Sequence, residues 1–260
     1  MMEIKSEEDI EHLRENALIV SRTLAELAKH VKPGITTGEL DKIAEDYIRS
    51  EGALPGFKGY NGFPGALCIS VNDEVVHGIP GNRVLKNGDI VSVDCGTSKD
   101  GYYGDSAYTF SVGEVKPEVR NLLKVTRESL MKGIEAAVAG KRIGDIGSAI
   151  QEYVENFGFS VVRDLVGHGI GRHLHEKPDV PNYGKRGTGS KLPEGLTICI
   201  EPMINLGTRS VFQNRDGWTI RTADGKPSAH FELTVAVKKE KADVLSTFRY
   251  IDEVLGPDHF

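Results

Sequence analysis

The chain has 260 residues, 39% hydrophobic and 27% charged, with a formal net charge of −6. That length suits one compact unit, particularly one built from two fused copies, and the acidic balance argues against a nucleic-acid surface, which needs a basic face to neutralise phosphate. No apolar run approaches a membrane span, and Cys68, Cys95 and Cys199 are too few and too scattered for a disulfide framework or a cysteine-rich zinc site.

The first residues contain neither an apolar core nor a small-residue cleavage site, so no export signal is expected and the expected compartment is the cytoplasm. Ser6 followed by Asp9 predicts a capping box, and Ile10, Leu13, Ala17, Val20, Leu24 and Leu27 then recur at helical spacing up to a stop at Pro33-Gly34. Leu40, Ile43, Ala44, Tyr47 and Ile48 form a second helical stripe. The stretch Gly52 to Gly65 is rich in glycine, proline and aromatics. Val91 to Asp94 and Tyr103 to Phe110 read as strands flanking Asp100-Gly101, a two-residue hairpin signal. A third stripe, Ile146, Ala149, Ile150, Tyr153 and Val154, opens the second half, and the tail beyond residue 245 carries apolar residues without chemistry.

Two halves of the chain repeat each other. Gly34, Gly38, Tyr47 and Gly52 recur 106 positions on as Gly140, Gly144, Tyr153 and Gly158. Leu85-x-x-Gly88 leads through Val93 into Asp94, and 107 positions later Leu192-x-x-Gly195 leads through Ile200 into Glu201. His77-Gly78-Ile79 recurs as His168-Gly169-Ile170 at an offset of 91, which leaves extra residues before His77 and after Ile170. Insertions at such places are often functional loops; Gly52 to Gly65 is the first, and Gly184 to Gly189 lies in the second. The reading is one domain, 1–260, of two pseudo-symmetric halves (about 5–115 and 116–245) with a short tail 246–260.

The repeat falls on residues suited to holding metal. With Asp100-Gly101 as the loop, Asp94 faces Ala107, so Asp105 and Asp94 project from the same face of the hairpin on a short diagonal. Two aspartates near a turn are ordinarily solvated; the repeat-related Glu201 argues for a shared cation instead. Glu232 lies inside an apolar strand, where a buried carboxylate needs a partner. His168 and His175 are seven apart, so in a straight strand their rings point to opposite faces and share one site only if the segment bends.

In order and local context, His77, Asp94, Asp105, His168, His175, Glu201 (in Ile200-Glu201-Pro202-Met203) and Glu232 resemble the methionine aminopeptidases of the pita-bread metallohydrolases, over roughly residues 5–245. The resemblance implies an α+β pita-bread fold (creatinase/aminopeptidase-like) with an internal pseudo-two-fold repeat and an antiparallel curved sheet covered by helices. It implies that Asp94, Asp105, His168, Glu201 and Glu232 hold two divalent metal ions, with Asp105 and Glu232 bridging. His77 and His175 would contact the substrate, and Glu201 would also shuttle a proton, which makes these three the catalytic residues. Phe57, Tyr60, Phe63, Cys68, Leu174 and Trp218 would line the methionine pocket. Some relatives carry Cys where Phe57 stands and Phe where Leu174 stands. With no N-terminal zinc-binding extension and no large helical insertion, the chain is similar to a short bacterial type I enzyme.

The chemistry is coherent without the family name. Four carboxylates balance two divalent cations, and such a pair makes hydroxide available at neutral pH. An oxygen-rich shell with one imidazole suits cobalt, manganese, iron or zinc. The expected activity is hydrolytic removal of the initiator methionine from nascent proteins and peptides whose second residue is small. Expected partners are those chains and the ribosome, with no nucleic-acid site, no membrane and a monomeric state. An Xaa-Pro aminopeptidase on the same fold is the alternative, although such relatives usually have a further N-terminal domain. A non-catalytic peptide- or partner-binding module is another; those typically lose ligands, and none is lost here.

Overall fold

In the computed structural model, which describes residues 2–256, Ser6 Oγ accepts from the Asp9 N–H at 3.1 Å and Asp9 Oδ2 accepts from the Ser6 N–H at 2.9 Å. This reciprocal cap starts helix α1 (Glu7–Ala28), which buries the predicted stripe from Ile10 to Leu27. The helix stops ahead of Pro33 because Lys29 and His30 donate to Glu26 O and Leu27 O, three-residue bonds that tighten and close the last turn. Thr36 and Glu39 cap α2 (Thr37–Ser50) in the same way. The second half repeats the plan with α3 (Pro117–Ala136) and α4 (Ile143–Glu155).

Repeat-related residues make repeat-related contacts. Gly34 N–H donates to Leu85 O and Gly140 N–H to Leu192 O, each at 2.9 Å. Thr36 bridges Val84, and Arg142 bridges Lys191. Gly34 and Gly140 sit at φ of +98° and +91°, where a side chain would be strained, so the glycine repeat in the sequence is a backbone requirement.

After each helix pair the chain runs into antiparallel strands. Ile90–Lys99 pairs along one edge with Tyr102–Ser111 and along the other with Leu67–Val71 and Leu54–Pro55. In the second half Thr197–Ile200 lies between Leu233–Ala236 and Gly167–Gly169, with Glu176–Val180 beyond the latter. One core joins the inner faces of α1 to α4 to both sets of strands, with Tyr108, Phe110 and Phe231 among its largest fully buried side chains. The tail forms α5 (Arg249–Leu255), where Ile251 is buried and the Phe248 ring stands edge-on to Tyr108 at 5.0 Å. Residues 257–260 of the expected tail lie outside the described residues. Among the described residues no helix is long and apolar enough to cross a membrane.

Candidate active site

The hairpin turns at Asp100-Gly101, whose φ values of 53° and 79° are those of the left-handed two-residue turn that matches strand twist. Asp94 is opposite Ala107 and Asp105 opposite Gly96, so both carboxylates leave one face two residues apart, as counted from the sequence. Cys68 pairs with Asp94 on the other edge. Phe57 closes over Gly96, where an added β-carbon would lie 2.4 Å from the ring. The register therefore sets an apolar wall directly beside the two aspartates.

The other donors arrive on second-half strands. Leu233 pairs with Ile200, so Glu232 and Glu201, one step beyond that pair, emerge together at the same end of the ladder. The Glu232 N–H donates to Ala107 O at 2.9 Å, tying this end to the first-half hairpin. His168 Nδ1–H donates to Gly169 O at 2.9 Å. A carbonyl can only accept, so the other ring nitrogen carries the lone pair; it lies 3.6 Å from Glu201 Oε1 and 3.8 Å from Asp105 Oδ2. That is the tautomer a metal requires.

His168 and His175 do not lie on one straight strand. Gly167–Gly169 and Glu176–Val180 form a hairpin in which Gly169 pairs with Glu176 and the register shifts beside His168, bringing the two rings within 4.3 Å. The turn between them is fastened from outside. Lys5 Nζ, itself buried, donates to Glu176 Oε2 at 2.7 Å. Arg172 Nη2 donates to the Tyr102 hydroxyl at 2.5 Å, which in turn donates to Asp9 of the α1 cap. On its inner side His175 Nδ1 is 2.9 Å from the Tyr60 hydroxyl. His77 holds a left-handed backbone at φ 60°, a conformation costly for a residue with a β-carbon and concentrated at functional sites.

All thirteen residues singled out in the sequence line one cavity of about 280 Å³. At its floor Asp105, His168 and Glu232, with Cys199 behind the lining, offer donor atoms that lie within 4.8 Å of one another; Asp94 and Glu201 flank that group. Cys199, buried with its thiol 3.4 Å from Thr234 Oγ1, has the strand parity of Glu201 and drew no role from the sequence. The cavity also takes in Asn61, Val76, Leu165, Val166 and Met203, which sequence reasoning passed over. Met203 belongs to the Glu201 motif and Val76 precedes His77, but nothing local marks Leu165 or Val166. The first insertion supplies Phe57, Tyr60 and Phe63 to the cavity. Gly184 to Gly189, within the second, does not reach it: Gly187 N–H donates to Asp145 Oδ1 at 2.7 Å and Gly144 N–H to Thr188 O at 3.0 Å, so that stretch serves the start of α4.

The electrostatics call for a cation. Burial pushes Asp105 well above the ordinary carboxylate range, reinforced by the charges of Glu232, Asp94 and Glu201. Burial also raises Glu201 and Glu232 well above it and lifts Asp94 to about 6. The imidazoles move the opposite way, with burial lowering His168 to about 3 and His77 to about 4. Asp94 Oδ1, Asp105 Oδ1 and Glu232 Oε1 are buried without a hydrogen-bond partner. Acceptor oxygens held this way fit a divalent metal ion, which neutralises the carboxylates and leaves a neutral imidazole free to ligate.

A profile of metallopeptidase family M24 matches residues 11–239. Methionine aminopeptidase 1 of Bacillus subtilis is 52% identical over 246 residues, which is 95% of this chain and 99% of that protein. The crystal structure of methionine aminopeptidase from Rickettsia prowazekii superposes with a TM-score of 0.94 at 43% identity, covering 95% of this chain and all of that one. The X-Pro aminopeptidase of Thermotoga maritima has a TM-score of 0.74 at 24% identity, with the match covering 94% of this chain but 62% of that one. This last likeness is one of fold alone.

Proposed function

The chain belongs to metallopeptidase family M24, and on that premise we propose that it is a metallo-exopeptidase that removes the N-terminal methionine from nascent proteins and peptides whose second residue is small. The observation that carries this reading is the single cavity in which a carboxylate and imidazole cluster adjoins an apolar recess walled by Phe57, Phe63, Cys68 and Leu174. Cys68 offers the substrate's thioether a soft, polarisable neighbour. Asp94, Asp105, His168, Glu201 and Glu232 would hold two ions of cobalt, manganese, iron or zinc, with Asp105 and Glu232 contributing from the centre of the cluster. The reading carries a cytoplasmic monomer acting on chains as they leave the ribosome.

Bound divalent ions supply a Lewis acid and water acidified towards neutrality. The remaining work falls to side chains. The Tyr60 hydroxyl donates to His175 Nδ1, which leaves the proton on Nε2 to hydrogen-bond the scissile carbonyl as its oxygen becomes negative. His77, kept neutral by burial, hydrogen-bonds the scissile amide. Glu201, whose burial raises its affinity for a proton, takes the proton of the attacking water as a carboxylate and delivers it to the leaving amine. The recess excludes water from the methionine side chain.

Met-Ala-Ser is expected to be cleaved about 10²-fold faster than Met-Lys-Ser, the scale at which a close-fitting pocket discriminates by size, and Ala-Pro peptides are expected to be inert. Release of the first residue, followed by chromatography, decides this. Equal turnover of the two methionine peptides would remove the small-residue rule, and preferential cleavage of Ala-Pro would favour an Xaa-Pro enzyme. Tyr60→Phe keeps the ring and deletes the hydroxyl, so kcat is expected to fall about tenfold, the equivalent of one ordinary neutral hydrogen bond. KM for Met-Ala-Ser should stay within about twofold. A rise in KM with unchanged kcat would reduce Tyr60 to a pocket wall.

A further inference from the structure

We infer that His230 is a positioning residue for Glu201, holding that carboxylate in place from behind the cavity. The inference rests on the reading of Glu201 as a metal ligand and proton carrier. His230 ends the strand Ser228–His230 with 1% of its surface exposed, and its Nε2 lies 3.4 Å from Glu201 Oε2. Neither ring nitrogen has a hydrogen-bond partner of good geometry. Glu201 thus lies between two imidazoles, with Oε1 towards His168 and Oε2 towards His230.

The two rings have different tautomers. His168 is anchored through Nδ1 to a backbone carbonyl, so its Nε2 accepts. His230 has no such anchor, so the Glu201 carboxylate 3.4 Å from its Nε2 selects the tautomer that carries the proton on that nitrogen. The division leaves Oε1 for chemistry and occupies Oε2 with orientation, the arrangement by which outer groups fix a ligand's geometry.

The backbone beneath the ring is held on three sides. His230 pairs with Met203, two residues beyond Glu201. Thr109 Oγ1 accepts from the His230 N–H at 2.9 Å and donates to its carbonyl at 2.7 Å. Ser92 Oγ lies 2.8 Å from Thr109 Oγ1 and can donate to it. A ring meant only to fill space would not need its chain position set this closely to Glu201.

The test compares His230→Leu, His230→Gln and Glu201→Ala with the unsubstituted protein, each stripped by chelation and titrated with Mn²⁺ in a calorimeter, then assayed on Met-Ala-Ser. His230→Leu is expected to weaken Mn²⁺ binding and lower kcat by about 10- to 100-fold, with KM within about threefold and the metal-free melting temperature unchanged or raised. His230→Gln, whose amide keeps a donor, should recover most of both. Mn²⁺ affinity and kcat within twofold in His230→Leu, while Glu201→Ala loses both, would overturn the role of His230 and leave the reading of Glu201 intact. Undiminished Mn²⁺ affinity in Glu201→Ala would overturn both. His230→Met serves as a second apolar variant should leucine prevent folding, and is read the same way.

Discussion

Asp105→Asn is expected to lower kcat/KM for Met-Ala-Ser by about 10³-fold or more, while the metal-free protein becomes more stable. The activity loss follows from the position of Asp105, buried at 3% exposure among His168, Glu232 and Cys199, where its carboxylate would serve the centre of the proposed metal site. Removing its charge forfeits several kcal/mol of the electrostatic stabilisation a metal centre provides, and each 1.36 kcal/mol is about tenfold in rate. The stability gain follows from the same burial. Asparagine is nearly isosteric and uncharged, so it relieves the repulsion from Glu232, Asp94 and Glu201 that now raises the Asp105 pKa. Thermal melts in chelator beside steady-state kinetics with Mn²⁺ give both readings. A loss of metal-free stability, or activity within tenfold, would show that Asp105 is not the centre of the site.

Chelation is the second large effect. Metal-free protein should have no measurable peptidase activity and should recover it on addition of Co²⁺ or Mn²⁺. At a metal concentration about 1,000 times Kd, binding stabilises the fold by about 4 kcal/mol, an upward shift in melting temperature of about 8–16 °C. The pH dependence of the metal-free form has a definite sign. Asp94 holds its proton up to about pH 6 when folded and releases it near 4 when unfolded. Asp94, together with Asp105, Glu201 and Glu232, which are raised in the same direction, therefore stabilises the fold most below about pH 4 and loses that contribution as pH rises through about 6. These four carboxylates outweigh the opposite drift of the neutral His77 and His168, so metal-free stability falls over that range. Metal binding displaces that proton, so the fall should disappear in the loaded protein. Differential scanning calorimetry across pH 4 to 8 measures it, and parallel curves with and without metal would count against a carboxylate-held ion.

What could be read from the sequence was set by local rules. Asp100-Gly101 fixes a hairpin and a period of two fixes its register, so the placement of Asp94 opposite Ala107 needed no structure. The Ser6–Asp9 capping box and the two glycine-marked turns were legible for the same reason, whereas the Thr36–Glu39 box was not picked out. The approach of His168 to His175 was not, because it depends on a register shift inside a hairpin whose strands are stabilised by a distant partner, Thr197–Ile200. His230 gave no signal either: a single histidine beside a glutamate in an apolar strand reads as core until the facing carboxylate is known. Gly184 to Gly189 was read as a functional loop because it is an insertion, whereas its backbone donors and acceptors satisfy the start of α4. Insertion marks freedom to vary, and only geometry tells which insertion reaches the cavity.

The ladder end at Glu201 and Glu232 meets the hairpin of Asp94 and Asp105 through the Glu232 bond to Ala107, so the donors come from stretches of chain made well apart in time. A ribosome that has released residues up to 115 has made both aspartates and none of His168, Glu201 or Glu232. Such an intermediate has no hydrolytic capacity, however well its first hairpin is formed. Activity is therefore a property of the finished chain, and metal retention by nascent fragments of increasing length would rise only once Glu232 has emerged.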